Sequence, residues 1–307
     1  MKKITLIISF IFLGFITAVS QPLLEFRDHT TMPEARGAIS SVSDGSNLYV
    51  INGFTADQFS GKIDKFNTTD NSWSILTSEL IPRQYSSAVI LGEELYVFNG
   101  DVNDDKLNRK TEIVNLKTGV VTLTTDNPHP AHAGGVAVWN DIIYSFGGKN
   151  SPVEPMYSNR MYCFDPSSKR WIKLAPMPEA KEAKGVMVEG KLYVIGGNTG
   201  KASNRIDMYN TETNTWTQLA DLPVGISGNS VVAHGSKIYT LFDSKNQNYV
   251  GCYDIPTNTF SVVKSNKMIA RKDAGAQVIN DKLYIFGGST DDKSKSVLSS
   301  VQVADLK

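Results

Sequence analysis

The chain has 307 residues, and its 31 lysines and arginines balance its 31 aspartates and glutamates. This neutral balance excludes an electrostatic preference for nucleic acid or for an anionic membrane surface. A hydrophobic content of 41% is ordinary for a globular protein and excludes general disorder.

The first twenty residues have the pattern of a secretory signal peptide. The chain starts Met1-Lys2-Lys3, continues with an apolar run from Ile4 to Ala18, and then has small residues before Gln21. The alternative is a membrane anchor, but this run is shorter than a transmembrane helix requires. We therefore expect residues 1–20 to be removed and residues 21–307 to form one exported domain. That domain would be periplasmic or extracellular, without membrane contact after cleavage.

A seven-residue motif then occurs six times along the chain. Its most regular copy reads Lys191-Leu192-Tyr193-Val194-Ile195-Gly196-Gly197. The tyrosines of successive copies are 47, 48, 49, 46 and 45 residues apart, at Tyr49, Tyr96, Tyr144, Tyr193, Tyr239 and Tyr284. A period in this range predicts a repeat architecture.

Each period has the parts of a four-stranded antiparallel unit. A run of small apolar residues leads through a turn of Gly, Asn and Asp into the tyrosine strand, and two further strands follow. Six such units predict an all-β, six-bladed β-propeller. The sixth unit lacks its fourth strand, whereas Leu24-Glu25-Phe26 and the residues up to Arg36 repeat the fourth-strand pattern around Trp73 and Arg83. We therefore expect this N-terminal strand to close the ring.

These residues resemble the kelch repeat, which combines a tyrosine strand, a double glycine and a later tryptophan. The resemblance covers nearly the whole chain after residue 20. It implies a propeller of kelch blades. Because the strands of a blade alternate in direction, the loop before the first strand and the loop after the double glycine emerge on one face. That face surrounds the mouth of the central channel and is the default binding site. The resemblance also extends to exported bacterial kelch proteins, among them sialate mutarotases. The double glycine is intact in three copies, and the departures from it are Asn52, Asn99 and Phe242-Asp243.

Three arginines share the position twelve residues before the leucine of the motif: Arg36, Arg83 and Arg271. They belong to consecutive blades and begin the innermost strand near the channel mouth. Two interpretations are open for them. They can brace loop carbonyls, or they can clamp a carboxylate or an acidic side chain. Kelch domains of other proteins use similar residues on acidic peptides, so we predict ligand binding by these arginines.

Other candidates lie in loops that enter the same face. We predict ligand contacts for His132, which lies in the loop before the third blade, and for Tyr157, which lies in a long loop after a double glycine. Glu179 and Glu182, beside the mouth, are the candidate catalytic acid/base groups. The resemblance places a mutarotase's glutamate just after a double glycine, where this chain has Lys149, Asn198 and Ser289.

The sequence contains no metal-ligand spacing, nucleophile elbow or phosphate-binding loop, so we expect no metal and no cofactor. The favoured function is an exported, monomeric binding module that recognises a protein segment or a glycan at the channel mouth. Its ligand would be anionic if the arginines form a clamp, and no nucleic-acid partner is expected. The alternative is a mutarotase for a sugar acid such as N-acetylneuraminate. That reaction needs a carboxylate-binding arginine and a general acid/base near the anomeric centre.

Overall fold

A computed structural model of the protein describes residues 23–103, 105–291 and 296–306. The predicted signal peptide and its cleavage site lie outside these ranges. The described residues form 28 strands and no helix. In these ranges, accordingly, no helix has the length and the apolar character needed to cross a membrane.

The strands are short because Gly, Asn and Asp turns with positive φ interrupt them at regular intervals. In chain order they are β1 (Leu24–Glu25), β2 (Arg27–Thr31), β3 (Ser40–Ser43), β4 (Asn47–Ile51), β5 (Ile63–Asn67), β6 (Ser72–Thr77), β7 (Ser87–Leu91), β8 (Glu94–Phe98), β9 (Asp101–Asn103), β10 (Lys106–Leu107), β11 (Glu112–Asn115), β12 (Val121–Leu123), β13 (Gly135–Trp139), β14 (Ile142–Phe146), β15 (Met161–Asp165), β16 (Arg170–Lys173), β17 (Gly185–Val188), β18 (Lys191–Ile195), β19 (Ile206–Asn210), β20 (Thr215–Gln218), β21 (Ser230–His234), β22 (Lys237–Leu241), β23 (Val250–Asp254), β24 (Thr259–Val262), β25 (Ser265–Asn266), β26 (Gly275–Ile279), β27 (Lys282–Phe286) and β28 (Ser300–Asp305).

Six four-stranded antiparallel sheets form the blades. From the channel outwards, they are β3-β4-β5-β6, β7-β8-β11-β12, β13-β14-β15-β16, β17-β18-β19-β20, β21-β22-β23-β24 and β26-β27-β28-β2. Each innermost strand contacts the innermost strand of the next blade, and β26 of blade 6 contacts β3 of blade 1. The predicted all-β, six-bladed propeller is therefore confirmed.

The N-terminal strand closes the ring, as the sequence predicts. β2 pairs antiparallel with β28 and supplies the fourth strand of blade 6. The paired residues lie slightly later in the chain than expected, because Leu24–Glu25 forms a separate parallel pair with β25. Phe26, between the two strands, is fully buried in the core.

Close approach between blades explains the first glycine of the motif. Gly196 has φ +66°, and a Cβ atom there would lie 2.8 Å from the backbone oxygen of Ile226 in the next blade. Asn52 takes this position in blade 1 with φ 52°, and its side-chain amide donates to Ser60 O at 3.0 Å. Asparagine adopts this left-handed conformation readily and gains a hydrogen bond there.

Candidate functional site

The channel along the ring axis opens on a face where two loops of each blade meet. One loop enters the innermost strand, and the other follows the double glycine. Backbone bridges join them, as between His132 and Lys149 and between Glu182 and Asn198. The channel holds a cavity of about 660 Å³ lined by the innermost strands and by side chains of this mouth. A cavity of this size accommodates a small ligand or a side chain of a partner.

The three arginines predicted to bind a ligand do not line this cavity. All three are fully buried, with 0% of their surface exposed. Each guanidinium group donates to a backbone carbonyl of its own blade, at 2.9, 3.1 and 3.0 Å for the pairs Arg36–Asn52, Arg83–Asn99 and Arg271–Gly287.

A polar side chain on the third strand of the same blade completes each arginine site. Arg36 pairs with Asp64, Arg83 pairs with Glu112, and Arg271 Nη2 lies 3.4 Å from Gln302 Oε1. Burial lowers the pKa of Arg83 to about 9 and that of Arg271 to about 10, so both remain cationic at neutral pH. The guanidinium groups therefore act as braces in this structure. They do not reach the channel mouth, where the sequence predicted that they would bind a ligand.

Blade 4 carries a fourth brace that the sequence analysis missed. Gly148 N donates to Lys181 O at 2.7 Å, just as Gly53 N donates to Arg83 O at 2.9 Å, so Lys181 and Arg83 are structural equivalents. A fixed offset of twelve residues selects Ala180 instead, because blade 4 is one residue shorter between this position and the motif. Lys181 is fully buried and lies 3.4 Å from Asp207 Oδ2.

The four brace cations occur in the blades whose third strand offers a carboxylate or an amide at its matching position. The partners are Asp64, Glu112, Asp207 and Gln302. Blades 3 and 5 combine Ala131 with Tyr162 and Ile226 with Gly251. Comparing these two positions between the blades of the chain would have indicated the bracing role from the sequence alone.

Glu179 belongs to the brace of blade 4. Its Oε2 atom accepts a hydrogen bond from Ser203 Oγ at 2.6 Å and lies 3.2 Å from Lys181 Nζ. Glu179 does not line the cavity, whereas the other candidate carboxylate, Glu182, does. Of these two candidate carboxylates, only Glu182 is therefore in a position to contact a ligand in the channel.

The structure brings His132 and Glu182 together with a residue from a third blade. His132 Nδ1 is 2.7 Å from the buried Asp101 Oδ2, and its Nε2 is 3.7 Å from Glu182 Oε1. The ring of Tyr85 lies against the imidazole, with 4.3 Å between ring centroids. Because His132 Nδ1–H donates a hydrogen bond to the Asp101 carboxylate, Nε2 is the ring nitrogen that can interact with a ligand. The sequence could not show this convergence, because it depends on how neighbouring blades meet.

Tyr85 and Asp273 extend this polar cluster across the channel. Both have positive φ values, 52° and 50°, which are uncommon for residues other than glycine. The Tyr85 hydroxyl donates to Asp273 Oδ2 at 3.4 Å. The charge of Asp273 raises the pKa of Tyr85 well above its usual range, and burial raises the pKa of Asp273. The same positive φ recurs at the equivalent Ala38 and Ala133, so it belongs to the repeat, and only the side chains set Tyr85 and Asp273 apart.

Tyr157 lies at the rim of the mouth. Its backbone bridges to Lys149, and its half-buried ring approaches Gly200 in the neighbouring blade. Burial raises the pKa of its hydroxyl. The preceding residue, Met156, is 55% exposed and adds apolar surface to the rim.

His129, in contrast to His132, does not line the cavity and is held by hydrogen bonds inside the protein. It is buried, and its Nε2 lies 2.8 Å from Ser158 Oγ and 3.1 Å from Asn150 Oδ1. Burial lowers its pKa to about 4, so the ring is neutral in the folded protein at neutral pH. Within the described ranges, no group of three or more His, Cys, Asp or Glu side chains is placed to hold a metal ion.

Two family models match the chain. The model described as "KLHDC2/KLHL20/DRC7 Kelch-repeats domain" matches residues 19–184, which is more than half of the sequence. The model described as "Kelch motif" matches residues 181–223.

Curated relatives are similar over much of this chain. Kelch-like protein terF of Aspergillus terreus is 28% identical over 241 residues, covering 71% of this chain and 52% of that protein. Kelch domain-containing protein 10 of Homo sapiens is 26% identical over 221 residues, covering 62% and 49%. Beta-scruin of Limulus polyphemus is 27% identical over 274 residues, covering 77% and 28%. The chain therefore spans about half the length of these relatives, or less. All three are eukaryotic, so the likeness to exported bacterial proteins stays a prediction.

Proposed function

The chain belongs to the kelch-repeat family, and from this premise we propose that its propeller is a protein-interaction module that binds a segment of a partner at the channel mouth. Kelch propellers typically bind protein partners. The observation that carries the proposal for this face is the convergence of Tyr85, His132, Glu182 and Asp273 on one open cavity.

The rim supports a protein partner because it combines this polar cavity with exposed apolar surface. Met156 and Val153 are 55% and 63% exposed in one mouth loop. Apolar side chains around a pocket with hydrogen-bonding groups are typical of interaction sites. The opposite face carries tight hairpin turns such as Asn140-Asp141.

The charges of the mouth do not favour an anionic partner. Glu182 lies 3.5 Å from Lys149 Nζ, and Asp101 lies 2.7 Å from His132 Nδ1. Asp273 interacts electrostatically with Lys184 and Lys272. The arginines that would have supplied an excess of positive charge are internal braces. We therefore propose a partner segment without a strong net charge, bound mainly through hydrogen bonds and apolar contacts.

Site-specific photo-crosslinking tests this assignment. A photoreactive residue at Met156 is expected to form at least about tenfold more partner adduct than one at Ile172, because hot-spot contacts cluster in one patch of an interface. Ile172, on an outer strand, is a matched control with 54% exposure. Tyr85→Ala should abolish the Met156 adduct without unfolding the propeller, which a melting curve verifies. Equal adducts from the two positions would contradict binding at the mouth.

A sugar-acid mutarotase is the second candidate, and the Asp101–His132–Glu182 arrangement favours it. The burial of Arg36, Arg83 and Arg271 counts against it, because none of these arginines can then hold the sugar carboxylate. His132, oriented by a buried carboxylate, has the arrangement of a general base, and Glu182 lies close enough to act as its acid partner. The wild-type protein would then accelerate anomer exchange of N-acetylneuraminate, measured by NMR, and His132→Gln would lose at least about a hundredfold of that acceleration. Exchange at the rate of buffer alone would eliminate this candidate.

We also propose that the protein is exported. The support is the signal-peptide pattern of residues 1–20. Whether the mature protein is periplasmic or extracellular does not alter the chemistry of the mouth.

A further inference from the structure

The first position of the innermost strands is small in five blades and large in one. Five blades have a serine or glycine there, paired with the last residue of the second strand: Ser40, Ser87, Gly135, Ser230 and Gly275. In blade 4, Gly185 pairs with Val194, and Ile195 N donates to Lys184 O at 3.3 Å. Lys184 therefore occupies the same position. A single lysine thus stands in a ring of small residues just below the mouth.

The side chain of Lys184 extends into the cavity. It lines the cavity and interacts electrostatically with Asp273, which belongs to a blade two positions away, and with Glu182. The closest partners of these carboxylates lie elsewhere, because Glu182 is 3.5 Å from Lys149 Nζ and Asp273 accepts from Tyr85. Within the part of the chain that the structure describes, the Lys184 amine has neither a hydrogen bond nor an ion pair. The amine is therefore available to a molecule in the channel.

The surroundings of Lys184 suit nucleophilic chemistry. Burial lowers the pKa of its amine, which increases the neutral fraction that can react. Burial also raises the pKa of Asp273, which makes this carboxyl group a better proton donor near neutral pH. A nucleophilic amine and an acid therefore face one water-accessible cavity.

We propose that Lys184 forms a reversible imine with a small hydroxylated aldehyde that enters through the channel mouth. The amine nitrogen bonds to the carbonyl carbon, and one of its two protons moves to the carbonyl oxygen to give a neutral carbinolamine. Glu182 or Asp273 then protonates the new hydroxyl group, and water leaves as the nitrogen lone pair forms the C=N bond of an iminium ion. The remaining N–H proton returns to the carboxylate, which gives the imine. One amine and one aldehyde give one imine and one water, with no oxidation or reduction.

The cavity selects the aldehyde by size and polarity. Its volume of about 660 Å³ suits a small molecule. Ser230 Oγ lines the cavity and donates to Ala274 O, which leaves its lone pairs to accept a hydrogen bond from a ligand hydroxyl group. The balanced charges of the mouth favour an uncharged ligand over an acid. This reaction goes beyond the interaction role, and it does not depend on whether a protein partner binds.

Reductive trapping tests the proposal on the folded protein. Glycolaldehyde and cyanoborohydride convert each imine into a stable secondary amine, which peptide mass mapping locates. Lys184 is expected to react at least about tenfold faster than Lys191, because a desolvated amine is neutral more often than an exposed one. Lys191 is an exposed lysine of the same blade and serves as the internal control. In denaturant the two lysines should react at equal rates.

A carboxylate variant tests the proton donors. Glu182→Gln is expected to slow the reaction of Lys184 by about tenfold or more, while the rate at Lys191 stays unchanged. Equal rates at Lys184 and Lys191 in the folded wild-type protein would overturn the proposal. Selective labelling that survives both Glu182→Gln and Asp273→Asn unchanged would overturn the assignment of these carboxyl groups as the acids.

Discussion

Deleting residues 21–32 is expected to unfold the protein or to make it associate, whereas the intact protein should run as a monomer. The deletion removes β1 and β2 and leaves β28 as an open edge, which exposes unpaired backbone groups to other chains. It also removes Phe26 and Met32, which are 0% and 3% exposed. Emptying each of these sites costs about 2–5 kcal/mol. Size-exclusion chromatography and thermal melting measure the result.

A point variant provides the control for this deletion. Arg27 of β2 and Asp305 of β28 form an exposed ion pair, with side chains 48% and 53% exposed. Arg27→Ala is expected to cost no more than about 1 kcal/mol, because solvent and salt screen such pairs. A deletion variant that stays monomeric with the parent melting temperature would show that the N-terminal strand is not needed for closure.

The propeller ring could be predicted from the sequence because six copies of one unit share the same order of turns and strands. A single hairpin with a Tyr strand allows many folds, but a sustained period of four-stranded units allows few. The closing strand could also be predicted, because the N-terminal residues repeat the pattern of a fourth strand. Its first and last residues could not be predicted. Leu24–Glu25 resembles a fourth strand in composition, but Arg27–Thr31 makes the pairs with β28. Register within one irregular strand depends on partners that the local sequence does not show.

The candidate site was predicted only in part, for a physical reason. The sequence assigns the loops that carry His132, Tyr157 and Glu182 to the face of the channel mouth, and these residues lie there in the structure. Their mutual contacts depend on the spacing between blades, which no single repeat specifies. Lys184 was missed because a lysine in a strand is usually exposed, and only its alignment with serines and glycines shows that it lies in the channel.

The arginines show a different limit of sequence reasoning. The position of Arg83 near the start of an innermost strand is compatible with a guanidinium group in the channel or between strands of the blade. The choice depends on Glu112, which lies 29 residues later and pairs with Arg83 only after the blade has formed. The buried carboxylate of Glu112 holds the guanidinium group between the strands of the blade, because either charge buried alone would raise the free energy of the folded state.

Arg83→Met is therefore expected to destabilise the protein by about 3–5 kcal/mol, the usual cost of removing one partner of a buried ion pair. The substitution leaves Glu112, 1% exposed, without its cation and removes a hydrogen bond to Asn99 O. Lys110→Met is the matched control, because its ion pair with Asp126 is exposed and should contribute about 1 kcal/mol or less. Urea unfolding at neutral pH measures both losses.

The double variant Arg83→Met, Glu112→Leu distinguishes a brace from a ligand clamp. Replacing both charges with apolar groups is expected to recover much of the lost stability, because buried pairs often contribute little relative to hydrophobic residues of similar volume. Recovery should remain incomplete, since Glu112 Oε1 also accepts a hydrogen bond from Ile81 N at 2.8 Å. A clamp would behave differently, because Arg83→Met would then cost little stability and would weaken binding of the partner identified by crosslinking at Met156. Full stability of Arg83→Met would contradict the brace, because the buried Glu112 would then have lost its cationic partner at no cost in folding free energy.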